Sequence, residues 1–118
     1  QDYLDMETRL LRYFVAVADA GHMTRAAAQL GIQQPPLSQQ IRALEARLGM
    51  TLLHRHPKGV TLTDSGRLFL VEARRILGDM KAMEERMQRV ARGERGRLHI
   101  GFTSSAAAHA FTPEALRE

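Results

Sequence analysis

Residues 30–49 read LGIQQPPLSQQIRALEARLG. Leu37, Ile41, Leu44 and Leu48 recur at spacings of four, three and four, the period of one buried helical face, and Gly49 stops the pattern. Pro35 and Pro36 stand at the start of that helix. Backbone donors there have no internal partner, and proline's fixed φ suits a first turn. With the apolar stripe turned to a core, Gln34, Pro35, Ser38, Gln39 and Arg42 fall on the opposite side, toward the N-terminal end. A surface helix usually carries charge in such a place. Amides and a hydroxyl are the unusual choice, and they need a chemical reason.

The chain before this stretch supplies the context. Glu7 to Ala20 sets Leu10, Leu11, Phe14, Val15, Val17 and Ala18 on one helical face, read as core, and Gly21 ends it. Thr24 is the expected N-cap of a short helix, RAAAQL, whose Ala26, Ala27 and Ala28 let a neighbour pack closely. Gly31 suits the left-handed conformation that closes a helix and opens a tight turn. A short small-residue helix, a glycine turn and a second helix with an apolar stripe form the outline of a helix-turn-helix.

Downstream the period changes. Within Met50–Thr63 the apolar residues are Leu52, Leu53, Val60 and Leu62, and Pro57-Lys58-Gly59 is a turn signal. A small β-hairpin, or wing, is expected, with Pro57–Gly59 near its tip. His54 and His56 alternate along its first strand, but without a third or fourth ligand no metal site is expected. From Thr63 or Asp64 as cap to Gly93 the pattern is helical again. Phe69, Ala73, Ile76, Met80, Met83, Met87 and Val90 recur by fours and threes as a coiled-coil seam. A helix of this length, at about 1.5 Å per residue, cannot bury that seam on so small a domain. A second copy of the chain is the expected partner, with methionine making the packing adaptable.

Arg97–Phe102, RLHIGF, alternates like a strand, and TSSAAAHAFTPEALRE reads as a loop leading into a helix. The expected fold is mainly α: a winged helix-turn-helix of three helices and a small β-hairpin over 6–63, then a long linker and dimerisation helix over 64–93. Residues 97–118 read as the incomplete beginning of a further domain.

The chain has 118 residues, 44% of them hydrophobic and 25% charged, an ordinary globular composition for one small domain with an appendage. It contains no cysteine, which excludes disulfides, thiolate metal sites and a cysteine nucleophile and fits a reducing compartment. QDYLDMETRL carries acids and no apolar core, so it does not read as a signal peptide, and Met6 is read as the natural start. No apolar run is long enough to span a bilayer.

The net charge of +4 is informative once located. Between His22 and Leu62 the basic residues are Arg25, Arg42, Arg47, Arg55 and Lys58, against Glu45 alone; the rest of the chain is balanced. A positive field confined to one segment points to a polyanion, nucleic acid first, although a solvated surface can carry the same charge.

If the start of the third helix enters a major groove, its prolines offer flat apolar surface to thymine methyls, and a glutamine can both accept from and donate to adenine. Serine suits a base or a phosphate. Cations bind any sequence through phosphates, whereas amides and hydroxyls can choose among bases. Singly, Gln34, Ser38, Gln39 and Gln40 would read as a solvated face; clustered here, they favour readout. Two other classes compete. A non-specific architectural binder needs more lysine than the third helix holds, and a protein-interaction module would use only the methionine seam. An enzyme fits least. His99, Ser104, Ser105 and His109 have neither a G-x-S-x-G elbow nor a placed acidic partner.

The run RYFVAVADAGHMTRAAAQLGIQQPPLSQQIRALEARLGMTLLHRHPKGVTLTDSGRLFL resembles the N-terminal winged helix-turn-helix of LysR-type transcriptional regulators. The likeness extends from Met6 to about Gly93, and RLHIGFTSS is similar to the opening of that family's effector domain. The resemblance implies a bacterial, cytoplasmic regulator that binds a partly palindromic operator in double-stranded DNA as a homodimer or homotetramer. It implies a third helix in the major groove, a wing at the minor groove, and no cofactor. A small-molecule inducer would bind only with the further domain present, Ser104 and Ser105 lying at its pocket mouth. Gln34, Pro35, Pro36 and Ser38 match the recognition positions, Thr24 a phosphate-contacting one, and Lys58 the basic wing tip. Gln39, Arg42 and Arg55 complete the candidate contact set. Gln33 stands where the family commonly has serine or threonine, and Gln39 where it often has arginine, so the DNA sequence read stays open.

Overall fold

The computed structural model describes residues 6–94. The expectations for Arg97–Phe102, for Ser104 and Ser105, and for a further domain over 97–118 lie outside the described residues. Three helices come first: α1 (Thr8–Ala20), α2 (Met23–Leu30) and α3 (Gln34–Leu48). A hairpin of β1 (Leu53–His56) and β2 (Gly59–Leu62) follows, then a long helix α4 (Asp64–Arg89) and a π-helical turn over Val90–Glu94 in which Gly93 has a positive φ. The compact unit containing the hairpin runs to Asp79, so the first half of α4 belongs with it.

The apolar periods produce one core. Phe14 and Val17 of α1, Leu37, Ile41 and Leu44 of α3, and Leu52 before the hairpin are fully buried. Each such side chain contributes about 1.5–3 kcal/mol relative to an exposed one. Ala26 and Ala27 are buried as well, and their small side chains let α2 lie close to its neighbours. Leu11 joins the core, whereas Leu10 and Val15, expected on the same face, are only half-buried.

Thr24 does not cap α2. The helix starts at Met23 after an extended His22 that makes no side-chain cap bond, which leaves Thr24 exposed in the first turn. Met23 is 7% exposed and packs in the core. Burying a methionine is worth at least as much as the roughly 1 kcal/mol of a threonine cap, so the register follows Met23. Gly31 takes the left-handed conformation (φ 74°) that the turn between α2 and α3 requires. Gln33 precedes α3 without a side-chain cap bond, and Pro35 and Pro36 occupy its first turn.

The hairpin pairs Leu53 with Leu62, His54 with Thr61, Arg55 with Val60 and His56 with Gly59, leaving Pro57 and Lys58 as a two-residue tip. Its buried face carries Leu53 and Val60. His54 and His56 are both exposed, and no described cluster of three or more potential ligands could hold a metal ion. The second strand is pinned at its start: Val60 N–H donates to the Gly21 carbonyl at 3.0 Å. A Cβ on Gly59 would lie 2.3 Å from that same oxygen, and φ there is 144°, so only glycine fits.

Thr63, not Asp64, caps α4. Its Oγ1 accepts from Gly66 N–H at 2.9 Å, and its hydroxyl donates to the Thr51 carbonyl at 2.8 Å. No described helix is long and apolar enough to cross a membrane.

Candidate nucleic-acid interface

Gln34, Ser38, Arg42 and Glu45 succeed one another by four, four and three residues, so they form one stripe along α3. The first three line a cleft of about 270 Å³ whose other wall includes Arg55, His56 and Pro57 of the wing. Gln34 and Ser38 are half-buried in it, whereas Arg42 is exposed. Pro35, Pro36 and Gln39 are exposed on the same end of α3, Thr24 on the first turn of α2, and Lys58 at the hairpin tip. Thr24, Pro35, Pro36, Gln39 and Lys58 do not line the cleft.

Two residues depart from the sequence reading. Arg55, counted in the candidate contact set, turns inward: Nη1 donates to Ser38 Oγ at 3.3 Å, and Nη2 lies 3.5 Å from Glu45 Oε1. The cause is the strand period, because Arg55 stands directly across from the buried Val60 and two residues from the buried Leu53. Glu45, noted only as the single acid in a basic segment, accepts two backbone bonds through Oε2, from Leu52 N–H at 2.8 Å and Leu53 N–H at 3.1 Å. One carboxylate therefore joins α3 to the chain entering the wing. Arg25, Arg42 and Lys58 remain as exposed cations of the basic segment.

The seam on α4 also divides. Ala73 is fully buried within the chain, and Phe69 meets Phe14 edge-on at 5.1 Å, so these two serve the chain's own core. Arg74 pairs with Asp19 beside them. That shortens the stretch open to a second chain: Ile76, Met80, Met83 and Met87 are 37–56% exposed. Leu68 and Val71 are exposed too, off the seam, and periodicity did not single them out.

The family model for the bacterial regulatory helix-turn-helix protein of the lysR family matches residues 8–67. The chain belongs to that family. Among curated LysR-type relatives it is 55% identical, over 104 residues, to the HTH-type transcriptional regulator BudR of Raoultella terrigena, covering 88% of this chain and 36% of BudR. It spans about a third of the length of that BudR and of the Escherichia coli regulator YnfL. Among solved structures it is similar to the CbnR DNA-binding domain in a DNA complex, at 48% identity and a TM-score of 0.69, covering 73% of this chain and 99% of that one. A BenM DNA-binding domain with catB site 1 DNA gives 44% identity and a TM-score of 0.72, over 75% of this chain and 98% of that one.

Glu45→Ala tests the joint between α3 and the wing. It leaves two backbone donors and a guanidinium without their carboxylate and should cost about 2–4 kcal/mol. The thermal midpoint should fall by roughly 10 °C or more. A loss below about 0.5 kcal/mol, an ordinary surface effect, would mean that water replaces the carboxylate without penalty.

Proposed function

We propose that this chain is the DNA-binding part of a sequence-specific transcriptional regulator, with α3 in the major groove and the wing at the minor groove. One observation carries the reading: the uncharged stripe of Gln34 and Ser38 opens beside the wing, flanked by the exposed cations Arg42 and Lys58. Gln34, Ser38 and Gln39 contact base edges, Pro35 and Pro36 present apolar surface, and Thr24, Arg42 and Lys58 hold the DNA backbone. That the similar CbnR and BenM domains form DNA complexes supports the DNA-binding reading. Non-specific architectural binding is the second reading, but α3 has no lysine and only two arginines, Arg42 and Arg47.

The intact protein works as a dimer or tetramer in the cytoplasm and binds rather than catalyses, as the regulator names of its relatives suggest. Its inducer response resides in a C-terminal domain. Two chains pair through Ile76, Met80, Met83, Met87 and Val90 and present two recognition helices to half-sites of a partly palindromic operator.

Selecting duplexes from a random pool tests the reading. Gln34→Ala should then weaken binding to the selected site by about 1–3 kcal/mol and leave random DNA nearly unchanged. Equal loss on both would remove Gln34 from base readout. For assembly, Ile76→Glu with Met80→Glu should yield monomers with weak operator binding. An intact dimer in sedimentation would put the pairing surface elsewhere.

A further inference from the structure

We infer that Arg55 is a positioning residue for base choice: it holds the Ser38 hydroxyl as a hydrogen-bond donor, so this point of α3 selects an acceptor on a base edge. The inference rests on the base-reading role proposed for Ser38. A serine hydroxyl has one hydrogen and two lone pairs, and alone it can pair with a base donor or a base acceptor. Arginine has donors only. The contact of Arg55 Nη1 with Ser38 Oγ at 3.3 Å therefore engages a lone pair and leaves the hydroxyl hydrogen for the cleft.

The second lone pair remains, but the oxygen is polarised toward a cation. An amino group arriving from adenine N6 or cytosine N4 would bring a second positive hydrogen beside the guanidinium. Purine N7, guanine O6 and thymine O4 meet no such repulsion. Arg55 is well placed to be a fixed element. It stands across from Val60 in the hairpin, is 24% exposed in its side chain, and lies beside the Glu45 carboxylate on its other side. Glu45 in turn is held by two backbone donors. The wing thus acts on base choice through protein contacts, apart from any contact of its tip with DNA.

The test is selection from a random duplex pool with the full chain and its Ser38→Ala, Arg55→Met and Arg55→Lys variants. Ser38→Ala identifies the base pair that serine reads. Wild type should favour an acceptor edge there by roughly 5- to 150-fold. Arg55→Met should lose that discrimination at this pair while preferences at other pairs stay, and Arg55→Lys, which restores a donor, should recover it. An Arg55→Met profile identical to wild type at that pair overturns the inference and leaves base reading standing. Ser38→Ala weakening all duplexes evenly also overturns the inference, by making Ser38 a phosphate contact rather than a base reader. Enrichment of no sequence by wild type overturns the base-reading function and this inference with it. Should Arg55→Met fail to fold, the wild type decides on modified DNA. Replacing the base by an analogue without the acceptor (7-deazapurine, or 5-methyl-2-pyrimidinone for thymine) should weaken wild type and leave Ser38→Ala unaffected. Equal weakening of both overturns the inference.

Discussion

The Glu45 carboxylate is the contact on which the proposed interface depends. It sits in the last turn of α3, accepts the Leu52 and Leu53 amides, and lies beside Arg55, which in turn reaches Ser38. Without it, the recognition helix and the wing would share apolar packing but no directional bond through this acid. Charge-assisted bonds from backbone donors are stronger and more demanding in geometry than burial, which has no direction. Packing brings the wing near α3; Glu45 decides where it stops. Its side chain is only 14% exposed, so the surrounding water does little to screen these bonds.

A two-stranded hairpin alone is marginal in water. Here it is held from three sides. Glu45 takes the entry to β1, Gly21 takes Val60 at the start of β2, and Thr63 returns the exit of β2 to Thr51 and Leu52. Gly59 belongs to the same arrangement, because any side chain would push β2 off the Gly21 carbonyl. The fold therefore presents wing and helix as one preorganised surface. Ordering them on binding would otherwise cost affinity.

Much of this was legible beforehand. Helical periods in α1, α3 and α4, glycines at the turns and the shift to strand period at Leu52 each reflect a local rule with one dominant cause. The start of α2 differs from the sequence signal because the capping residue Thr24 lies one position inside a stronger anchor, Met23. The seam was overextended because periodicity cannot tell which chain covers an apolar face: Phe69 and Ala73 are met by their own core. The inward turn of Arg55 has a signal in the strand period. Alternation from Leu53 puts it on the inner face of the wing, where a guanidinium needs a partner. Glu45 had none of comparable force, since its partners are backbone groups seven and eight residues away. Residues 97–118 lie outside what the structure describes.

The central claim is that helix and wing form one cooperative unit through Glu45. Native-state hydrogen exchange at the Leu52 and Leu53 amides tests it most directly, because those two protons are the ones Glu45 receives. If the joint opens only when the domain unfolds, both amides should be protected to within about tenfold of Ile41 and Leu44 in the core of α3. Exchange roughly a thousandfold faster than those core amides would mean that the wing detaches on its own and would contradict the account.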